Sequence, residues 1–290
     1  MDTIFIDAGV EHIRIKSGSE SSQDGNNNKY KHITLNNNND IRVLFEENNV
    51  FSELINNNNG STSKPDVFIT GKLAEITRNA LESGETISTE AALWSAAKTL
   101  FRADSSSIPE TLGIIDLSAS GYMVICIEKD GQLKDDILIT NPRCGAGTGI
   151  NLSRILEKLD ISRDLVDGIL ADYLGEKGAQ KRAEIPVRAD RCGVFSSSAT
   201  VSDKNQGIPL DYALAVTMKS EVMKPCQKMP ENISCVHLTG GVFRWQYARD
   251  CARDILQSKG IQNIVYDDEQ SVLLSGMEYL VRKVGHKNFR

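Results

Sequence analysis

Two short apolar runs along the chain each end at an acidic residue and then turn back into a second apolar run. The first ends at Asp7 and returns over residues 13–16, where isoleucine alternates with a basic residue. The second ends around Asp116 and returns over residues 122–128. Alternation with a period of two is typical of half-buried strands, and the small residues between the runs indicate turns. The pattern therefore predicts two strand–turn–strand hairpins with an aspartate at each bend.

The remaining hydrophobic pattern predicts single strands mixed with helices. Strands are predicted where a short apolar run ends at a glycine or follows a turn signal, namely at 66–70, 136–140 and 233–238. Helices are predicted where apolar residues follow a helical spacing, namely at 90–100, 152–159, 165–173, between Gly241 and Gly260, and at 272–284, and further helices are predicted to follow one another from 173 up to 233. Strands and helices combined in this way indicate an α/β protein.

Length and composition predict two lobes. With 290 residues, 40% of them hydrophobic and 25% charged, the chain can bury a full core. The Asn- and Ser-rich segment at about 17–60 is predicted to be an insertion whose Asn runs are loop tips, and 104–109 is predicted to be a linker. We expect lobe I at 1–110, lobe II at 111–270, and a C-terminal helix within 271–290 that returns to lobe I.

Charge and hydropathy exclude two classes of partner. The formal net charge is −6, whereas binding to nucleic acid requires a cationic surface that neutralises phosphates. No run reaches the roughly 20 apolar residues of a membrane helix, and the first residues lack the basic and apolar regions of a signal peptide. The sequence predicts a cytoplasmic protein that binds neither nucleic acid nor membrane.

Six cysteines are distributed through the chain, at positions 126, 144, 192, 226, 235 and 251. In a reducing compartment such thiols are more often buried small side chains than metal ligands. Cys126 and Cys235 lie in strand patterns and Cys251 in a helix pattern, so a packing role is predicted for them, whereas Cys226 follows a proline and has no assigned role.

Cys144 and Cys192 have different surroundings. Each stands between an arginine and a glycine, Cys144 in the sequence RCGAGTG (143–149) before a predicted helix, and Cys192 in RCGVF before three serines. A glycine-rich segment before a helix offers free backbone N–H groups and the positive end of the helix dipole. Such a segment suits either a phosphate or a reduced, anionic cluster.

Two hairpins with an aspartate at each bend, followed by a strand that ends in Gly240-Gly241, match the nucleotide clamp of actin-type proteins. Carboxylates at strand ends can hold Mg²⁺ or its waters, and glycines let backbone N–H groups approach phosphate oxygens. Asp7 and Asp116 are the candidate pair of acids. Strands that end in aspartate are common, so an ordinary turn role for both remains open.

Three motifs in this order, CGAGTG (144–149), CGVF (192–195) and LTGGV (238–242), resemble the activator ATPases of 2-hydroxyacyl-CoA dehydratases and the related ATP-binding subunits of benzoyl-CoA reductases. The resemblance is best from about residue 113 to the C-terminus, and the hairpin at Asp7 extends it weakly to the start. It implies an α/β, actin-like (ribonuclease H-like) two-lobed ATPase fold with duplicated hairpin and helix units.

The resemblance also implies an activity and its parts. A homodimer would hold one 4Fe-4S cluster, use ATP, ADP and Mg²⁺, accept an electron from ferredoxin or flavodoxin, and pass it to an iron–sulfur dehydratase or reductase. The implied site residues are the cluster ligands Cys144 and Cys192, the catalytic acids Asp7 and Asp116, and the nucleotide contacts Gly9, Gly147, Thr148, Gly149, Gly240 and Gly241.

Both hairpins depart from the family pattern. Small hydroxyl residues usually follow the first Asp-x-Gly, but Val10, Glu11 and His12 stand there, and the glycine expected just after Asp116 is displaced to Gly121. These changes argue against fast hydrolysis more than against the fold. Two alternatives stay open: a cluster-bearing or scaffolding subunit of the same fold with a degenerate phosphate site, and a small-molecule kinase, for which no substrate base is evident.

Overall fold

The computed structural model describes residues 2–19, 29–34, 65–103, 109–140, 148–188, 193–266 and 271–285. The chain forms two compact units, the first from residues 1–103 together with 270–290, and the second from residues 104–269.

The described residues contain the strands β1 (Asp2–Ala8), β2 (His12–Ser19), β3 (Lys29–Thr34), β4 (Asp66–Thr70), β5 (Glu85–Thr86), β6 (Thr111–Ser118), β7 (Gly121–Glu128), β8 (Leu133–Thr140), β9 (Cys235–Thr239) and β10 (Ile264–Tyr266). They also contain the α-helices α1 (Ala74–Leu81), α2 (Thr89–Ala103), α3 (Thr148–Lys158), α4 (Val166–Ile169), α5 (Ala179–Glu184), α6 (Gly193–Asn205), α7 (Leu210–Lys228), α8 (Gln246–Ser258) and α9 (Val272–Val284).

The first unit is built on a five-stranded sheet with the order β3-β2-β1-β4-β5. β1 pairs antiparallel with β2 and parallel with β4. Because side chains alternate between the two faces of a strand, Ile4, Ile6 and Ala8 of β1 form one core cluster, which also contains Ala74 of α1. Asp7 lies between Ile6 and Ala8 in the alternation and contacts Ser271, which directly precedes α9.

The second unit repeats this arrangement, with the sheet order β10-β9-β6-β7-β8. β6 pairs antiparallel with β7 and parallel with β9. One continuous core cluster joins these strands to α3, α7 and α8, with Phe243 and Tyr247 as its largest fully buried side chains. The two duplicated hairpins predicted from the sequence are therefore present.

The duplication extends to the register of the strands. Asp7 is aligned with Thr70 in the parallel pair of the first unit, and Asp116 is aligned with Thr239 in that of the second. The next residue in each case is a glycine with positive φ, Gly71 at +99° and Gly240 at +100°. A side chain there would collide with the backbone of the residue that follows each aspartate, because a Cβ would lie 2.5 Å and 2.4 Å from its carbonyl oxygen.

Some predictions differ from the structure. Strand β3 lies inside the segment predicted to be an insertion at about 17–60, because the alternating residues of Lys29–Thr34 extend the sheet beside β2. The helix predicted at 165–173 is wrong: the segment forms the short helix α4 between two 3₁₀ turns, Arg163–Leu165 and Ala171–Tyr173. Helix α1 was not predicted.

Parts of two other predictions lie outside the described residues, namely most of the Asn-rich segment and the linker at 104–108. None of the helices in the described part of the chain combines the length and the apolar composition needed to cross a membrane.

Candidate functional site

The first hairpin holds its aspartate in a closed arrangement. Asp7 is 4% exposed, and its Oδ2 accepts hydrogen bonds from Nη1 of Arg14 at 3.2 Å and from Oγ of Ser271 at 2.7 Å. Arg14 is the residue opposite Asp7 on β2, so the register of the hairpin brings the two charges together. The Gly9 N–H closes the turn by donating to the carbonyl oxygen of His12 at 3.0 Å.

The second hairpin carries its aspartate at the same place with a different tip. Asp116 is 6% exposed and lies between Met123 on β7 and Thr239 on β9. The hydroxyl oxygens of Ser118, the last residue of β6, and of Ser120 in the turn that follows are 3.0 Å apart. Hydroxyls can both donate and accept, so this tip offers groups suited to phosphate oxygens or to a hydrated cation.

The two glycines after β9 have different surroundings at the hairpin tip. Gly240, at the end of β9, packs against the backbone of Leu117, whereas a Cβ on Gly241 would meet no atom within 4 Å. The first glycine therefore gives close backbone approach, and the second leaves open space at the start of the 3₁₀ turn Gly241–Arg244.

The first turn of α3 contacts the same tip. A Cβ on Gly149 would lie 2.8 Å from both Cα and N of Ala119, and the Ile150 N–H donates to the Ala119 carbonyl oxygen at 3.3 Å. The tip is thus contacted by β9 on Leu117 and by α3 on Ala119. Among the predicted site residues, the structure brings together Asp116, Gly149, Gly240 and Gly241.

Four of the other predicted residues lie wholly or partly outside the described residues. They are Cys144, Gly147 and Cys192, together with Thr148, whose backbone begins α3 but whose side chain is not described. In sequence, Cys144 stands four residues before α3, and Cys192 immediately before α6. Within the described part of the chain, no group of three or more His, Cys, Asp or Glu residues could hold a metal ion.

The two helices that follow these cysteines pack against each other. Nζ of Lys158, the last residue of α3, donates to Oγ of Ser197 on α6 at 3.0 Å. Ser197 is 4% exposed whereas Lys158 is exposed, so this contact is partly buried. α3 therefore contacts the hairpin tip through its first turn, and it contacts α6 through its last turn.

The four cysteines without a predicted ligand role are all buried, namely Cys126, Cys226, Cys235 and Cys251. Burial raises the pKa of the Cys126 and Cys251 thiols to about 12, and it also raises the pKa of the Cys226 thiol. Metal binding requires the thiolate, which these surroundings disfavour. The packing role predicted for the cysteines on β7, β9 and α8 is confirmed, and the same role applies to Cys226 on α7.

Sequence reasoning missed the partners that surround the candidate groups. Arg14 was recoverable, since a hairpin bending after Asp7 places it opposite the acid. Ser271 was not, because it is 264 positions away from Asp7 in sequence. The Lys158–Ser197 contact likewise depends on how two helices pack.

The chain has the fold of a solved dehydratase activator and of a solved dehydratase component. It superposes on the activator of the 2-hydroxyisocaproyl-CoA dehydratase from Clostridium difficile, solved with bound ADPNP, with a TM-score of 0.67 and 16% identity, covering 99% of this chain and 98% of that one. It superposes on the (R)-2-hydroxyglutaryl-CoA dehydratase component A from Acidaminococcus fermentans with a TM-score of 0.68 and 15% identity, and the superposition covers 98% of each chain. At this identity the likeness establishes the fold, and the predicted α/β, actin-like fold is confirmed.

Sequence comparison is less informative. A segment of 141 residues, 48% of this chain, is 26% identical to the uncharacterized protein YjiL of Escherichia coli strain K12. The match covers 50% of YjiL, so the chain spans about half the length of this curated relative. No protein-family model matches the chain.

Proposed function

We propose that the chain is an ATP-dependent electron-transfer activator in which two copies share one 4Fe-4S cluster. The observation that carries the proposal is the contact between the hairpin tip at Ala119 and the first turn of α3, since α3 begins four residues after Cys144. Coupling of nucleotide binding to electron transfer needs a loop suited to nucleotide in contact with a helix next to a cluster ligand. The fold shared with a dehydratase activator and with a dehydratase component A over almost the whole chain supports the same function.

The second unit contains groups that fit a magnesium nucleotide. Asp116 supplies a carboxylate at a strand end, Ser118 and Ser120 supply hydroxyls, and Gly241 leaves space that a Cβ would fill. When bound, Mg²⁺ would neutralise phosphate charge and polarise the bond to the transferred phosphoryl group. We expect Asp116 to orient the cation or one of its waters, and the backbone N–H of Gly241 to donate to a phosphate oxygen.

The donor set of the chain fits half of an iron–sulfur cluster. A 4Fe-4S cluster takes four thiolates, and only Cys144 and Cys192 combine a neighbouring arginine and glycine with a following helix. Two thiolates per chain therefore require a homodimer. The cluster would supply one-electron transfer, from a ferredoxin or flavodoxin to a partner iron–sulfur enzyme of the 2-hydroxyacyl-CoA dehydratase or benzoyl-CoA reductase type, in the cytoplasm.

The residues of this chain would transmit the nucleotide state by direct contact. A shift of the hairpin tip must move the first turn of α3, because Gly149 lies against the Ala119 backbone with no room for a side chain. α3 in turn is tied to α6 through Lys158 and Ser197. Both helices that follow the candidate cluster ligands would therefore respond together.

Anaerobic purification followed by iron and sulfide analysis tests the cluster. Wild-type protein should be brown and dimeric, with about four iron and four sulfide per dimer. Cys144→Ser and Cys192→Ser should each lose the iron, whereas Cys235→Ser, which changes a buried thiol on β9, should retain it. Wild-type protein free of iron after anaerobic preparation would refute the proposal.

Nucleotide binding is tested separately. Asp116→Asn should weaken binding of ADPNP in the presence of Mg²⁺ by about tenfold, the loss expected when one charged contact to a cation is removed. Without Mg²⁺, Asp116→Asn and wild type should bind ADPNP with about the same low affinity. If Asp116→Asn and wild type bind ADPNP equally well in the presence of Mg²⁺, then Asp116 is an ordinary turn acid.

A second candidate is a cluster-bearing subunit of the same fold that does not hydrolyse ATP. It is favoured by the first hairpin, where the Asp7 carboxylate is engaged by Arg14 and Ser271 and the Gly9 N–H by His12. An iron-loaded dimer with no measurable ATP turnover would support this candidate over the first.

A further inference from the structure

The indole of Trp245 joins the turn Gly241–Arg244 to a distant segment of the second unit. Trp245 directly follows this turn, and its Nε1 donates to the carbonyl oxygen of Arg163 at 3.1 Å. The turn is also tied to α8, because Nη1 of Arg249 donates to the last two carbonyl oxygens of the turn, at 2.8 Å each. The turn, α8 and Arg163 are therefore joined by direct hydrogen bonds.

Asp167 fastens the same segment to α8 a second time. Its carboxylate accepts from the first two backbone N–H groups of the helix, Oδ2 from Gln246 at 2.9 Å and Oδ1 from Tyr247 at 3.2 Å. These N–H groups have no acceptor within the helix, and a negative charge at this end complements the helix dipole. Residues 163–167 are therefore held against the start of α8 at both ends.

The side chain of Arg163 extends from this segment to the first turn of α3. Its Nη2 donates to Oγ of Ser153, which is 7% exposed and donates in turn to the carbonyl oxygen of Gly149 at 2.9 Å. Gly149 is the residue that lies against the Ala119 backbone. The first turn of α3 is therefore held in two ways, by the hairpin tip and by Arg163.

We propose that Arg163 is a positioning residue that couples nucleotide at Gly241 to the first turn of α3. This inference rests on the proposed function, because it requires nucleotide in contact with both the hairpin tip and the turn Gly241–Arg244. Such a nucleotide restrains the distance between these two groups, and α3 is attached to each of them, through Ala119 and through Arg163. Opening of the first turn of α3 then displaces a restrained group, so nucleotide binding slows that opening.

A coupling role and a purely structural role of Arg163 predict different results. If Arg163 only stabilises α3, its loss speeds opening of the first turn equally with and without nucleotide, so the ratio of the two exchange rates stays constant. If Arg163 carries the effect of nucleotide, its loss lowers that ratio, because only the attachment to the hairpin tip is left. The ratio of the rates therefore separates the two roles.

Hydrogen exchange of the α3 amides at 150–154, with and without saturating ADPNP and Mg²⁺, measures this ratio. Nucleotide should slow exchange about fivefold in wild type, the factor that corresponds to one hydrogen bond, and at most about twofold in Arg163→Met. The described bond to Ser153 needs a single donor, so Arg163→Lys should restore most of the effect. Arg154→Met, which removes an exposed arginine from the same helix, is the matched control and should respond as wild type does.

The outcomes distinguish failure of the coupling from failure of the proposed function. A fivefold effect of nucleotide that persists in Arg163→Met would overturn the coupling and leave the proposed function intact. An equal loss of the effect in Arg154→Met would also overturn it, because the response would then not depend on Arg163. A wild-type protein that binds ADPNP in a titration without any change of exchange at 150–154 would remove the transmission through α3 as well, and one that binds no ADPNP would remove the proposed function itself.

Discussion

Gly149 is the position at which a single methyl group tests the contact between the hairpin tip and α3. In Gly149→Ala, the new Cβ would lie 2.8 Å from Cα and N of Ala119 and 2.9 Å from the carbonyl carbon of Ser118. Ordinary van der Waals contact begins at 3.4 Å, so the helix and the hairpin must separate by at least about 0.6 Å. All three atoms belong to the backbone, so no side chain can rotate away to relieve the clash.

The expected cost follows from two opposing terms. Overpacking of a tight contact destabilises by about 1–3 kcal/mol, whereas replacing glycine by alanine in a helix stabilises by about 0.4–1 kcal/mol. Gly149→Ala should therefore be destabilised by about 1 kcal/mol and should bind ADPNP more weakly, since the tip is displaced. Urea denaturation and ADPNP titration measure the two effects.

Gly168→Ala is the matched control for this variant. It adds the same methyl group in α4 of the same unit, at a position where a Cβ meets no atom within 4 Å. Its stability should be unchanged or raised by about 0.5 kcal/mol, with normal ADPNP affinity. If both variants unfold at the same urea concentration, the Gly149–Ala119 contact does not constrain the second unit, and the proposed transmission through α3 fails.

Other predictions concern the core of the second unit. Arg182 is 3% exposed, donates to both carboxylate oxygens of Asp254 on α8 and lies 3.8 Å from the buried Asp250, so Arg182→Met should destabilise by about 3–5 kcal/mol in urea because it removes the buried cation between these two acids. Arg253→Ala, which removes the half-exposed partner of Asp250, should cost at most about 1 kcal/mol, and equal losses would contradict the role of burial. Because burial raises the pKa of Cys126 and Cys251 to about 12, these thiols should resist iodoacetamide at pH 8 in the native protein, as mass spectrometry would show. Their folded pKa lies above the unfolded value of about 8.5, so their contribution to stability is complete below that pH and should be lost as the pH rises towards 12; stability independent of pH across this window would refute the assignment.

Local pattern was sufficient for the elements whose contacts lie nearby in sequence. The hairpins β1–β2 and β6–β7 follow from alternation and a turn, because each strand pairs with its neighbour in the chain. The final helix, at 272–284, was likewise predicted from its apolar stripe, and its bounds in the structure agree. The order of the motifs was sufficient to predict the actin-like fold.

Tertiary structure decided the elements with weak local signals. β3 has lysines at alternate positions beside an Asn-rich segment, and its pairing with β2 makes this segment a strand. At 163–173 the apolar spacing of Leu165, Ile169 and Tyr173 predicted a helix, and of these only Tyr173 is buried. Leu165 is 58% exposed, Val166 and Leu170 are buried instead, and the backbone forms separate turns. Burial depends on which residues reach the core, and an apolar spacing of three or four is compatible with turns as well as with a continuous helix.

For the candidate site, too, the sequence determined one part and the packing of the chain decided another. Sequence determined which residue types stand at the strand ends and helix starts, namely the two aspartates, the paired glycines and the two arginine-flanked cysteines. It did not determine that Ser271 and Arg14 occupy the Asp7 carboxylate, or that Gly149 lies against Ala119. Those contacts join segments distant in sequence, and their distances are set by packing of the whole unit, which no local pattern encodes.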